Sequence, residues 1–234
     1  MRKNKITIFA GDAIFQNKNT VSVGGDTIVA DNIIVATGAR ARNLPHIQAD
    51  GDRIWDARSA MTPTFMPKKL LIIGAGAIGV EFASFYNTLG AKVTLVEVMD
   101  QILPAEDSEI ADLAKQSFIN QGMEVLTGTG VEEVKVTGKS LTALIGGQNQ
   151  KFDAAILSVG VSGNIEELGL EAIGVEVDRG FISVDEYQQT SVDGVYAIGD
   201  VAGVPCLAHK ASHEGIIAVE GIVGEMPHPL NKER

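Results

Sequence analysis

Gly74-Ala75-Gly76-Ala77-Ile78-Gly79 is the stretch in which residue type and spacing most directly prescribe chemistry. It follows Leu70-Leu71-Ile72-Ile73, an apolar run of the kind found in strands buried on both faces. Between a strand and a helix, each glycine of a G-x-G-x-x-G loop has its own task. Gly74 permits the tight turn out of the strand, Gly76 lets a diphosphate approach the backbone, and Gly79 lets the helix pack closely. The helix opening near Ala77 turns its N–H groups and positive dipole end toward that anion, so no basic side chain is required. A second strand, Lys92 to Glu97, ends on a carboxylate about 20 residues beyond the loop. Glu97 there accepts hydrogen bonds from adenosine ribose hydroxyls and repels a 2′-phosphate, which predicts NAD in preference to NADP. FAD is bound by the same fingerprint, so the loop alone does not choose between dinucleotides. The competing reading is a glycine turn without a ligand, with Glu97 a solvated strand-end charge.

The elements that must position this loop follow from periodicity. An α/β fold is expected: a Rossmann-type parallel sheet with a β-meander crossover. The loop helix would bury Ile78, Phe82, Phe85, Tyr86 and Leu89 and close at Gly90. A helix over 107–121, capped by Asp107 or Ser108, would bury Ile110, Leu113, Ala114, Ser117 and Phe118 and end at Gly122. Three strand-like runs, 124–127, 132–136 and 141–145, read as the meander, and the apolar run 154–159 returns to the sheet. Ahead of the loop, short strands are expected at 6–9, 20–23, 27–30 and 32–36 with a Gly24-Gly25-Asp26 turn. Beyond Gly180 the expectation is strands at 181–184 and 195–198, then a helix over 209–223 stopped by Pro227 and Pro229.

Bulk properties narrow the partners. A chain of 234 residues with 45% hydrophobic and 21% charged residues can bury a core and argues against wholesale disorder. A net charge of -11 argues against a nucleic-acid backbone or an anionic membrane as partner. The longest uncharged apolar stretch, 70–80, contains three glycines and is too short to span a bilayer, and a cytoplasmic location is expected. One cysteine, Cys206, supports neither an internal disulfide nor a Cys-x-x-Cys pair. His209 and His213 share metal-pair spacing without an accompanying acidic motif, so no metal site is expected. Taken singly, Cys206 reads as a small buried hydrophobe, Asp200 as a turn cap, and Glu81 as a polar surface residue. The stretch Trp55-Asp56-Ala57-Arg58-Ser59 reads as an entry segment without chemistry.

Three further segments carry a resemblance: Val35-Ala36-Thr37-Gly38-Ala39, Val195-Tyr196-Ala197-Ile198-Gly199-Asp200, and Leu207-Ala208-His209-Lys210-Ala211 with Glu214-Gly215. Together they resemble the flavoprotein pyridine nucleotide-disulfide reductases. In that family an ATG motif closes the FAD domain ahead of an inserted NAD domain, and a GD motif reopens it with the Asp on the flavin ribityl chain. Within the family, the run 89–97, Ile102-Leu103-Pro104 and Ala208-His209-Lys210-Ala211 look most like the dihydrolipoamide dehydrogenases. The similarity spans nearly the whole chain. It implies that Gly74, Ala75, Gly76, Ala77, Ile78 and Gly79 hold the NAD pyrophosphate and Glu97 the ribose. Glu81 would sit beside the nicotinamide, Val131 on the adenine side, and Gly160 near the nicotinamide end. For FAD, Ala13, Thr37, Gly38 and Ala39 would approach by backbone, Asp200 would bond the ribityl hydroxyls, and Cys206, Leu207, Ala208 and His209 would line the flavin.

The domains implied are 1–46 and 193–234 as two parts of the FAD domain, flanking an NAD domain at 47–192. Implied partners are the dihydrolipoyl groups of a 2-oxo acid dehydrogenase complex and a second copy in a homodimer. Complete members also carry an N-terminal G-x-G-x-x-G, a Cys-x4-Cys pair and a C-terminal interface domain with a His-Glu base. None of these is in the sequence, so the chain reads as the central part of such an enzyme, unable to oxidise dihydrolipoamide alone. Gly160-Val161-Ser162-Gly163-Asn164 stands where the family commonly has Gly-Arg-x-Pro-Asn, so any contact of that Arg is lost. Two rivals are another NAD-linked member, such as a peroxidase, coenzyme A disulfide reductase or ferredoxin-type reductase, and a stand-alone NAD-binding module without redox chemistry.

Overall fold

A computed structural model describes residues 2–229. It divides into two compact units, 41–161 and the residues up to 40 together with those from 162 onward.

In the unit 41–161 the chain builds a five-stranded sheet in the order Ile54–Trp55, Ala154–Leu157, Lys69–Ile73, Lys92–Val96, Glu124–Leu126. All four pairings are parallel. Parallel sheets need cover on both faces, and alternate residues serve each one. Leu70 and Ile72 face a cluster with Trp55, Ala83, Tyr86, Val93 and Leu95. Leu71 and Ile73 face another with Val96, Leu141, Ala143, Ile145 and Phe152. The first cover comes from helices Ala77–Thr88 and Ser108–Asn120, the second from three antiparallel strands, Val131–Thr137, Ser140–Ile145 and Gln148–Phe152.

That meander differs from expectation. Glu124–Leu126 pairs with Lys92–Val96 as the edge of the parallel sheet, and the third meander strand is Gln148–Phe152. Its Gln-Asn-Gln-Lys composition carries little apolar signal because only Phe152 is buried. Both helices meet their expected faces in part: Tyr86 is buried, and Phe82, Ala114 and Phe118 pack on the core as expected. The loop helix buries Gly79, Val80, Ala83 and Tyr86 and leaves Phe85 and Leu89 exposed. The 108–120 helix, capped by Asp107, buries Ala111 and leaves Ile110 and Leu113 exposed. Small residues, Gly79, Ala83 and Ala111, lie on the buried faces beside the one large ring of Tyr86, and Phe85, Leu89, Ile110 and Leu113 fall outside them. The entry segment forms a short helix, Ala57–Met61, with a capping box between Asp56 and Ser59.

The other unit holds a three-stranded antiparallel sheet, Ala13–Asn17, Thr20–Val23 and Asp26–Val29. The expected strand at 6–9 is not formed: Ile6, Ile8 and Phe9 are exposed, with the first strand starting at Ala13. Ile33–Val35 pairs in parallel with Val195–Ala197. Helix Ala208–Ile222 ends at Gly224 (φ +82°), ahead of Pro227 and Pro229. Residues 162–192, expected in the same domain as the glycine loop, pack with this unit. Leu170, Val175 and Ile182 pack with Phe15, Val35, Val195, Ala197 and Val201 in one core. Among the described residues no helix is long and apolar enough to cross a membrane.

Candidate functional site

The carboxyl ends of the central parallel strands open into a groove of about 540 Å³ in the unit 41–161. Its lining includes Gly74, Gly76, Glu97, Val131, Ser158 and Gly160. The three loop glycines separate by cause. Gly74 has φ +96°, and a Cβ there would stand 2.4 Å from the Ser158 carbonyl oxygen. At Gly79 a Cβ would stand 1.9 Å from the Gly74 carbonyl oxygen, so the helix packs against the turn itself. Gly76 differs: φ is -70° and a Cβ would meet nothing within 4 Å. Neither backbone strain nor packing inside the protein requires glycine at that place.

Two side chains hold the loop from either side. Glu97 is 7% exposed; its Oε2 accepts the Ala75 N–H at 2.7 Å and its Oε1 the Met99 N–H at 2.9 Å. Ser158 donates from Oγ toward the carbonyls of Ile73 (3.0 Å) and Gly74 (2.8 Å). Ala75 is fully buried beneath the loop, its carbonyl taken by the Leu103 N–H at 2.7 Å. The helix after the loop has Gly76 as N-cap and no side-chain cap, whereas Asp107 and Asp56 cap the other two helices of the unit. Its start therefore has no side-chain acceptor for the first-turn N–H groups.

Ala77 is exposed and Ile78 half-buried at the helix start. Glu81 is exposed one turn on and is not among the residues lining the groove. Sequence reasoning missed Ser158, a polar residue ending an apolar strand, which was the available signal. It also passed over His46, at the end of the segment 1–46 assigned to the FAD domain.

In the other unit, parallel pairing of Ile33–Val35 with Val195–Ala197 sends two motifs out of the same sheet edge. Thr37, Gly38 and Ala39 follow one strand; Gly199 and Asp200 follow its neighbour. Thr37 Oγ1 donates to the Asn164 carbonyl at 2.7 Å, and Asn164 returns bonds from Nδ2 to the Thr37 carbonyl (2.9 Å) and from its N–H to the Gly38 carbonyl (2.9 Å). Ala13 is exposed at the start of its strand, Asp200 and Cys206 are half-buried, and Leu207, Ala208 and His209 are exposed. Burial first, then the nearby Asp200 charge, pushes the Cys206 thiol up, which keeps it protonated and disfavours a nucleophilic role.

A buried ion pair supports this edge. Lys210 Nζ lies 2.9 Å from Glu214 Oε1 and donates to the carbonyls of Gly203 (2.9 Å) and Gly199 (3.3 Å). Glu214 Oε2 accepts the Gly199 N–H at 2.7 Å. Side chains of one helix therefore pin the backbone on both sides of Asp200. The sequence shows both residues at i, i+4 helical spacing, but only burial reveals that they grip the turn rather than face solvent.

A family profile described as pyridine nucleotide-disulphide oxidoreductase matches residues 1–215. The chain belongs to that family. A dihydrolipoyl dehydrogenase of Zymomonas mobilis is 46% identical over 244 residues, covering 100% of this chain and 52% of the relative. The Rhizobium etli dihydrolipoyl dehydrogenase is 44% identical over 258 residues, covering 99% and 53%. Among solved structures, LpdA of Mycobacterium tuberculosis superposes with a TM-score of 0.84 at 32% identity, over 94% of this chain and 50% of that one. The HOCl-induced flavoprotein disulfide reductase RclA of Escherichia coli gives 0.85 at 27% identity, over 94% and 51%. The chain thus spans about half the length of the curated relatives it matches. The α/β arrangement of a parallel sheet with several antiparallel sheets is that of flavoprotein disulfide reductases in this oxidoreductase family.

Proposed function

We propose that the groove of the unit 41–161 binds NAD, and that the chain supplies the nucleotide-binding portion of a dihydrolipoyl dehydrogenase. Gly76 carries the reading. A residue that could accept a side chain without clash or strain, at the mouth of an uncapped helix, leaves its space to something that must approach the backbone. A diphosphate meets that description, and it needs no positive side chain there. Glu97, at the neighbouring strand end, would take the adenosine ribose hydroxyls while still holding Ala75 and Met99. Gly160 would lie toward the nicotinamide, Val131 toward the adenine, and Glu81 would act only from outside the lining. The domains in this reading are the NAD unit, 41–161, and two FAD segments on either side of it in sequence.

FAD is the second cofactor of the proposed enzyme, a redox carrier between disulfide and NAD. The Thr37 to Ala39 backbone and the Asp200 carboxylate would face it from one sheet edge, with Ala13 and the Cys206 to His209 turn as further contacts. The proposed substrate is a dihydrolipoyl group of a 2-oxo acid dehydrogenase complex, and the complete enzyme would be a homodimer in the cytoplasm. That oxidation passes electrons through a dithiol, which Cys206 cannot form within this chain, so the chain by itself would bind NAD without turning over.

Titration of the chain with NADH, followed by nicotinamide fluorescence, tests the binding claim. Wild type should bind NADH more tightly than NADPH, and Gly76→Ala should weaken NADH about tenfold or more, a loss of about 1.4 kcal/mol, with its melting temperature unchanged. Equal affinity for NADH in Gly76→Ala and wild type would refute the diphosphate assignment.

A further inference from the structure

The segment ahead of the parallel sheet runs along the groove. Its Arg42 N–H donates to the Gly160 carbonyl at 2.9 Å, and four residues later His46 Nε2 lies 3.2 Å from the Val131 carbonyl oxygen. Between them Leu44 and Ile47 exchange backbone hydrogen bonds of 3.1 and 3.2 Å, closing a two-residue turn with Pro45 and His46 at its tip. Ile47 is 2% exposed and anchors the turn in the core under the meander. His46 therefore stands in a defined place at the rim, and it lines the groove together with Leu44.

Sheet order says which end this is. Ala154–Leu157 lies on one side of the loop-bearing strand and Lys92–Val96 on the other. The groove accordingly runs from Ser158–Gly160, past Gly74 and Gly76, to Glu97 and Thr129–Val131. The Thr129 N–H donates to the Glu97 carbonyl at 3.0 Å, which ties the Val131 end to the ribose-binding acid. A base attached to that ribose has to lie beyond Glu97, where Val98, Pro104, Val131, Leu44 and His46 form the lining. His46 is the only aromatic ring among the residues lining the groove.

We propose that His46 is a base-recognising residue, its imidazole forming the flat wall against which the adenine of the dinucleotide rests. The inference rests on the NAD reading of this groove. Contact with the Val131 carbonyl requires the Nε2–H tautomer, so that nitrogen is committed to the protein and the face of the ring is what remains for a ligand. A ring already held by turn and hydrogen bond loses little freedom when a base stacks on it. An apolar slot with one aromatic face suits a heteroaromatic base and offers little to a phosphate or a sugar.

The test uses the full chain with His46→Ala and His46→Phe, titrated with NADH and, by competition, with adenosine 5′-monophosphate. Base stacking on a side chain corresponds to roughly a tenfold loss on truncation to alanine. His46→Ala should weaken both ligands by the same factor of about ten, and His46→Phe, which keeps a ring without the nitrogen, should stay within about twofold of wild type. Thermal melts should coincide, since His46 is exposed at a turn. Unchanged affinities in His46→Ala, loss confined to NADH, or a phenylalanine variant as weak as alanine would each overturn the assignment. A wild type that ignores NADH would instead overturn the NAD reading beneath it.

Discussion

The groove of the unit 41–161 and the Thr37–Asp200 edge of the other unit use the same device, loops leaving the carboxyl ends of parallel strands, with different support. Around the glycine loop five parallel strands are covered on both faces, and the loop is steadied by two short polar reaches, Glu97 to Ala75 and Ser158 to Gly74. At the other edge two three-residue strands pair in parallel, with only a single bridge from Gln189 to Tyr196 beside them, and the turn bearing Asp200 is gripped by a buried Lys210–Glu214 pair. Where the sheet is broad, packing on both faces supplies most of the rigidity and single side chains, Glu97 and Ser158, complete it. Where it is narrow, ionic and backbone bonds from one helix stand in.

That contrast predicts unequal responses. The largest is at the ion pair: Lys210→Met leaves Glu214 buried without its partner and should lower stability by about 3 to 5 kcal/mol, while the Lys210→Met/Glu214→Leu double variant should recover most of it. Urea denaturation with a probe in each unit reads the difference, and equal losses for single and double variants would mean that the charges are not coupled. Next comes Gly79→Ala, whose methyl has to displace the Gly74 carbonyl and should cost about 3 kcal/mol in the unit 41–161. Set beside Gly76→Ala, it separates packing glycine from binding glycine: one variant should lose stability and the other affinity. The smallest effect is at the Asp56 capping box. Hydrogen bonds from the Ser59 hydroxyl and N–H hold the Asp56 carboxyl below its usual range. A depressed folded pKa means that this contribution is present above the unfolded value of about 3.9 and is lost as pH falls through the folded one. Asp56→Ala should therefore cost about 1 kcal/mol at neutral pH and less at a pH below both values, where the protonated carboxyl is a weaker acceptor, measured by denaturant midpoints.

Much of the groove was legible in the order of residues. Strand, glycine loop, helix, second strand and terminal acid lie within about thirty consecutive residues of one βαβ unit, so local periodicity and spacing were enough to locate them. The three glycines could be given separate tasks beforehand, because turn geometry and close approach are local backbone matters. Less legible were features set by pairing across long separations. The Gln148–Phe152 strand has too little apolar character to announce itself, and it forms because the neighbouring strand offers it a full register of partners. The helix faces were misjudged at Phe85, Leu89, Ile110 and Leu113, since periodicity marks an apolar side and the shape of the opposing sheet decides which residues fit beneath it.

The amino-acid order alone determined that this protein carries a βαβ unit with a glycine loop after its first strand and an acid at the end of its second, since those constraints act over a few residues of backbone. Tertiary structure decided that Ser158 and Glu97 hold the loop, that His46 meets the Val131 carbonyl in the groove lining, and that residues 162–192 pack with the unit containing residues up to 40. Those outcomes depend on which distant surfaces meet, and hydrophobic burial, which drives them, has no direction that spacing along a chain can record.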